Sequence, residues 1–289
     1  MPDQGEKGDK GYVIFTVLDV LRSAAGYLEQ RGVESARLNA ELLLARILGM
    51  NRMALYLEFD RPLSEAERSP LREMVRKRGE GIPLQHLLGD VEFCGRTFLC
   101  DARALIPRPE TEQLMELVEA RWMGGGEALD VGTGSGVIAV SLALAHPEVR
   151  VSATDLSPDA LDLARENATR NGASVAFHCT DLLPAEGGPF SLIVANLPYI
   201  PSAEMDSLAR EVRHDPPTAL DGGADGMEVI RRLIAAAPSR MQSGGLLALE
   251  IGSGHDGELR RTLQENNFRD IEALPDYQGH LRFLIARNG

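Results

Sequence analysis

Between residues 13 and 89 apolar side chains recur at helical spacing, with Val17, Leu18, Leu21, Ala25 and Leu28 in one segment and Leu38, Leu42, Leu43, Ile47 and Leu48 in the next. Gly32 and Gly49 stand where helix C-terminal caps belong, because the left-handed conformation used there suits glycine. Ser64 followed three residues later by Glu67 has the form of a capping box, while Pro70 in the same stretch leaves the start of that helix open. The pattern predicts a small helical domain without a cluster of catalytic side chains. After Gly124-Gly125-Gly126 the period changes. Short apolar runs at 128–131, 149–154, 175–178, 192–195 and 246–251 alternate with helix-length segments at 137–145, 158–171, 227–237 and 256–266. Such alternation is what a parallel sheet with crossover helices requires. Ser157 caps the second of these helices, with Pro158 at its first position and Gly172 closing it. Two last runs, 271–274 and 281–286, joined by Pro-Asp-Tyr-Gln-Gly, read as an antiparallel pair.

At 289 residues, 44% hydrophobic and 25% charged, the chain has the make-up of a globular protein long enough for two domains. Its 43 acidic against 30 basic residues give a net charge of -13, which repels polyanions and disfavours nucleic acid as a partner. Three cysteines, Cys94, Cys100 and Cys179, are too few for a disulfide framework and fit a reducing compartment. The polar stretch 1–11 has neither the apolar core nor the cleavage pattern of a secretory signal. No run of about 18 apolar residues follows it, so the expected location is cytoplasmic, with no membrane contact. The six histidines lack metal-ligand spacing, and no metal site is expected.

The first strand of the α/β part ends in Asp130-Val131-Gly132-Thr133-Gly134-Ser135-Gly136, with a helix directly behind it. Glycines at a strand's carboxyl end let the backbone turn and approach a ligand, here with G-x-G-x-G spacing instead of the dinucleotide form. Asp155 closes the second strand, where a carboxylate can accept from both hydroxyls of a ribose. Asp181 follows the third, placed to meet an adenine amino group while Leu182 covers the ring. The three strand ends converge on one nucleoside-shaped site. This segment resembles the S-adenosylmethionine-dependent methyltransferases. The resemblance implies a Rossmann-like, seven-stranded class I domain, with Asp130 near the methionyl end of the cofactor and Asp155 on its ribose. Gly132, Thr133, Gly134, Ser135 and Gly136 along the loop, with Leu156, Leu182 and Asn196, complete the expected cofactor set.

The fourth strand leads into Asn196-Leu197-Pro198-Tyr199. This N-x-P-Y form resembles the N-P-P-Y motif of methyltransferases that act on planar amino groups, in glutamine side chains or nucleobases. An amide nitrogen is a poor nucleophile because its lone pair is delocalised, so a site must hold the NH2 group with that lone pair aimed at the methyl carbon. The Asn196 side-chain oxygen and the Leu197 carbonyl are the expected acceptors, Pro198 stiffens the turn, and Tyr199 offers a face to the planar group. These four are the candidate catalytic and substrate-binding residues. Leu197 stands where glutamine-modifying relatives usually carry a first proline, and the motif alone does not separate glutamine from adenine.

Two further stretches, from Leu84-Gln85-His86 through Arg108-Pro109-Glu110-Thr111-Glu112, and Asp215-Pro216-Pro217-Thr218-Ala219-Leu220 with the glycine-rich residues behind it, resemble the release factor glutamine methyltransferases. That resemblance runs from Val13 to the C-terminus and implies N5 methylation of the glutamine in the Gly-Gly-Gln tripeptide of class 1 peptide chain release factors. S-adenosyl-L-methionine is then the cofactor, with Thr111 and Glu112 bordering its pocket. The expected organisation is a helical substrate-docking domain at 1–89, a hairpin linker at 90–105 and a methyltransferase domain at 106–289, acting as a monomer. An adenine-N6 methyltransferase on RNA or DNA and a non-catalytic cofactor-binding interaction protein are the alternatives.

Overall fold

The computed structural model describes residues 15–289. The polar stretch 1–11 and the start of the helical pattern at Val13 lie outside the described residues. The chain forms two compact units, one through Leu88 and the other Gly89–Gly289.

The first unit holds α1 (Val17–Gln30), α2 (Ala36–Leu48), α3 (Arg52–Leu57), α4 (Glu65–Gly79) and α5 (Leu84–Leu88). Thr16 with Asp19, and Ser64 with Glu67, form reciprocal capping boxes that satisfy otherwise orphaned amides at the starts of α1 and α4. Pro70 therefore lies inside α4 rather than at its start. Val17, Leu21 and Leu28 of α1 pack with Leu43 and Leu44 of α2 and with Leu71 and Val75 of α4. On α2 the buried face departs from the expected one in the first half of the helix. Leu38 is exposed, whereas Glu41 is buried and accepts from Arg37 Nε at 2.9 Å, Arg52 Nε at 2.7 Å and Tyr56 Oη at 2.9 Å. Three donors offset the desolvation of that carboxylate.

The second unit begins with a hairpin, β1 (Asp90–Phe93) and β2 (Arg96–Leu99), followed by α6 (Pro109–Arg121). Then come β3 (Glu127–Val131), α7 (Val137–Ala145), β4 (Arg150–Asp155), α8 (Pro158–Asn171), β5 (Ala176–Cys179) and β6 (Phe190–Asn196). The chain finishes with α9 (Glu228–Ala236), β7 (Met241–Glu250), α10 (Asp256–Glu265), β8 (Phe268–Pro275) and β9 (Leu281–Asn288). The seven-stranded sheet has the order β5-β4-β3-β6-β7-β9-β8. Its first five strands are parallel, and β9 pairs antiparallel with both β7 and β8.

Alternation along the central strands divides the core into two layers, as expected of a sheet covered on both faces. Leu192 and Val194 of β6 join the cluster that contains α6 and α7 residues, while Ile193 and Ala195 join the one that contains α9 and α10 residues. The expected helix at 227–237 ends at Ala236 and tightens into a 3-10 turn, Ala237–Arg240, where Pro238 has no amide hydrogen to continue the α-helical ladder. Among the described residues, no helix is long and apolar enough to cross a membrane.

Candidate active site

The chain runs from β3 outward through β4 to β5, then returns to place β6 on the other side of β3. Ligands of open α/β sheets bind outside the carboxyl ends of the strands at such a reversal. A cavity of about 750 Å³ lies there. Gly132, Thr133, Gly134 and Ser135 form its floor, Asp155 and Leu156 one side, Asp181 and Leu182 the next, and Asn196, Leu197 and Pro198 the side beyond β6.

Local hydrogen bonds explain the shape of the floor. The amides of Gly132 and Thr133 both donate to the Thr154 carbonyl at 2.9 Å, and the Gly134 amide donates to Asp155 Oδ2 at 2.9 Å. Gly132 has φ 71°, and a Cβ there would come within 2.8 Å of Leu197 Cδ2, so the glycine lets the N-x-P-Y loop close onto the floor. Asn167 of α8, fully buried, donates to the carbonyls of Ser135 and Leu99 and accepts from the Leu99 amide, which ties the hairpin to the glycine loop.

Several expected site residues lie behind the wall instead of on it. Asp130 is fully buried and does not line the cavity. Its Oδ2 accepts from Thr133 Oγ1 at 2.6 Å and the Ala139 amide at 3.1 Å, while Oδ1 has no partner among the described residues. Burial pushes this carboxyl up to about 7 against those two donors. Gly136, also off the wall, caps α7 at φ 82°, and a Cβ there would meet Ala164 of α8 at 2.9 Å. Its role is helix packing. Glu112 is turned away from the cavity, since one step along a helix rotates a side chain by about 100°; its Oε1 accepts from the Cys94 amide at the hairpin tip at 2.8 Å. Tyr199 packs its half-buried ring beside the core with the Arg282 guanidinium 5.8 Å from the ring centre, and it too is not a wall residue. Burial pushes its phenol up to about 12. Asp181 is on the wall, with its carboxylate paired to Arg232 of α9.

Thr111 is buried at the cavity edge, where Oγ1 accepts from Asn196 Nδ2 at 2.9 Å and donates to Glu250 Oε2 at 2.8 Å. Glu250 ends β7 with 1% exposure, and burial pushes it up to about 7 against the Thr111 hydroxyl. The sequence places Glu250 only within the apolar run 246–251, and its register opposite Asn196 reveals the contact. The opposite wall is clasped by Asp215. Its two oxygens accept from the Ile106 amide at 3.2 Å and Arg108 Nη2 at 2.6 Å, with Arg108, Pro216 and Pro217 lining the cavity.

The segment behind Asp215 runs alongside the N-x-P-Y loop. The Ile200 amide donates to the Leu220 carbonyl at 3.0 Å, and the Gly222 amide donates to the Ile200 carbonyl at 2.8 Å. A Cβ on Gly222 would lie 2.7 Å from the Pro198 carbonyl oxygen, and one on Gly226 would lie 2.4 Å from that of Tyr199. These glycines let two backbones touch.

A family model described as methyltransferase small domain matches residues 109–275, and one described as PrmC N-terminal domain matches residues 19–89. A release factor glutamine methyltransferase of Deinococcus radiodurans is 42% identical over 271 residues, covering 93% of this chain and 97% of that protein. The chain belongs to the release factor glutamine methyltransferase family. A second member of the family, from Geobacter sulfurreducens, is 40% identical over 278 residues, with 96% and 98% of the two chains covered. Among solved structures, the catalytic domain of hMettl16 in complex with the MAT2A 3'UTR hairpin 6 aligns with a TM-score of 0.56, covering 78% of this chain and 83% of that one. At 12% identity this likeness is one of fold alone.

Proposed function

We propose that this chain transfers a methyl group from S-adenosyl-L-methionine to the side-chain nitrogen (N5) of the glutamine in the Gly-Gly-Gln tripeptide of class 1 peptide chain release factors. The observation that carries the reading is Asn196 on the cavity wall with Nδ2 engaged by Thr111, which leaves Oδ1 to accept from a substrate NH2 group. Leu197, the first residue beyond β6, offers its carbonyl as the second acceptor. Two acceptors on one NH2 group hold both its hydrogens in the amide plane and leave the nitrogen lone pair perpendicular to that plane, open to the methyl carbon, so the reaction is promoted by orientation and desolvation. The N–C bond forms as the S–C bond breaks, the thioether leaves, and the nitrogen loses one hydrogen as a proton to water.

The residues present fit the cofactor. Asp155 spends one lone pair of each oxygen on the Gly134 and Ser157 amides, at 2.9 Å each, and a carboxylate has about four acceptor positions, which leaves two for ribose hydroxyls. Leu156 and Leu182 supply apolar wall on either side. Asp181 reaches an adenine amino group while shared with Arg232. Asp130 acts from behind, holding the loop through Thr133 and the start of α7 through Ala139. When bound, the cofactor supplies a methyl group on a sulfonium, an electrophile needing no further activation.

The helical unit docks the protein substrate, and the enzyme works as a cytosolic monomer without nucleic acid. Leu197 in place of a first proline leaves adenine open as a substrate on the motif alone, and the net charge of -13 opposes a nucleic acid. Incubation with cofactor labelled in the methyl group, together with release factor or RNA, is expected to label the protein at the glutamine, located by mass spectrometry. Label in RNA alone would overturn the glutamine assignment.

A further inference from the structure

With Glu250 ionised, the polar groups behind Asn196 form a chain with only one consistent direction. A threonine hydroxyl has a single hydrogen, and an ionised carboxylate only accepts. Glu250 therefore takes the Thr111 hydrogen at 2.8 Å, and Thr111 Oγ1 can meet the Asn196 amide, 2.9 Å away, only as an acceptor. Both Thr111 and Glu250 are buried, so water does not readily substitute for either partner. Without the chain, a half-turn of the Asn196 amide exchanges its oxygen and nitrogen with almost no change in shape. The cavity would then present a donor, the Asn196 NH2 group, where the substrate NH2 group needs an acceptor, and only the Leu197 carbonyl would still accept.

We infer that Thr111 and Glu250 are positioning residues that lock the Asn196 amide with Oδ1 toward the substrate, so that a carboxamide is gripped by its nitrogen end and not by its oxygen. The inference rests on the transfer to a carboxamide nitrogen proposed above, and it assigns the selection between the two ends of that carboxamide. Glu250 is surrounded by charge of both signs. Arg282 of β9 and Arg108 favour its ionised form, Glu110 at the start of α6 opposes it, and the Tyr199 phenol also lies close enough to feel its charge. Protonated Glu250 would be able to donate to Thr111 and release the direction of the chain. Loss of transfer at low pH is therefore expected to weaken when Glu250 is replaced by Gln, which supports either direction at every pH.

The test is a set of substitutions read by kinetics and by amide resonances. Thr111→Val keeps the shape and removes the hydroxyl; it is expected to lower kcat about 10- to 100-fold, as expected for losing one interaction with the reacting group. Thr111→Ser keeps the hydroxyl and is expected to stay within about threefold of the unsubstituted enzyme. In an Asn196→Ala background Thr111→Val should cost less than about threefold more, because residues that act through one another are not additive. Equal losses in Thr111→Val and Thr111→Ser, or a Thr111→Val loss as large without Asn196 as with it, would overturn the inference. A second reading needs no substrate. In protein with 15N-labelled asparagine, the Asn196 side chain should give one NH2 pair, and in Thr111→Val that pair should double or broaden; an unchanged pair would also overturn the inference. Failure of the unsubstituted protein to methylate release factor would instead overturn the proposed function, while the resonances still report the orientation.

Discussion

Asp130 and Glu250 are both carboxylates removed from solvent, and both are pushed up to about 7 by burial. For Asp130 the sign is set by where protons sit. Between its ordinary value of 3.8 and about 7, the folded chain keeps a proton that the unfolded chain has released. Stability therefore falls as pH rises through that window, and the penalty is complete above it. Asn cannot ionise, so Asp130→Asn should gain on the unsubstituted protein as pH is raised from about 5 to about 8. Calorimetry at a series of pH values checks this, and a Tm difference independent of pH would show that the charged form is not penalised. The sequence announces Asp130 as part of a ligand loop, yet nothing local distinguishes a carboxylate facing the ligand from one buried beneath the loop. Glu112 and Tyr199 carry the same ambiguity, which α6 and β9 resolve by packing.

At the scale of elements, the N-x-P-Y loop is held in shape by a segment that contributes no acceptor to the proposed grip on the substrate NH2 group. Ile200 pairs with Asp221 as an isolated parallel bridge, and the approach is possible because Gly222 has no side chain. A Cβ there would lie 2.5 Å from the Gly226 carbonyl oxygen and 2.7 Å from that of Pro198. Both are backbone atoms, so the loop itself must move. A misplacement of about 1 Å is enough to lower turnover by about 100-fold. Gly222→Ala is expected to lower kcat on that order while leaving cofactor affinity, measured by calorimetry, nearly unchanged; full activity would show that the loop is held by other means. Elements specified by neighbouring residues were legible in the sequence, as with α7 and with α8 between Ser157 and Gly172. The pairing of 220–222 with Ile200 and the meeting of β7 with α6 at Thr111 were not, because they join residues far apart in the chain. In α2 the periodicity marked a helix and set Leu43, Ile47 and Leu48 against the core, but it gave no sign that Glu41 is buried, because Arg52 and Tyr56, which stabilise it, lie outside the helix.

For the whole molecule, each unit has a hydrophobic cluster of its own, and the cavity with its glycine loop, Asp155, Asn196 and Thr111 belongs entirely to the unit Gly89–Gly289. Residues 89–289 alone are therefore expected to fold and to bind the cofactor with nearly the affinity of the full chain. Recognition of a folded release factor is a different matter, because binding energy gained far from the reacting atoms raises kcat/KM only when the docking surface is present. If the helical unit supplies that surface, its removal should lower kcat/KM on intact release factor by about 10- to 100-fold, corresponding to roughly 1.4 to 2.7 kcal/mol of lost binding. The same truncation should leave turnover of a short Gly-Gly-Gln peptide almost unaltered, since a peptide that size has nothing to present to a remote surface. Equal loss on peptide and protein would show that the helical unit supports the cavity itself, and no loss on either would remove it from substrate recognition.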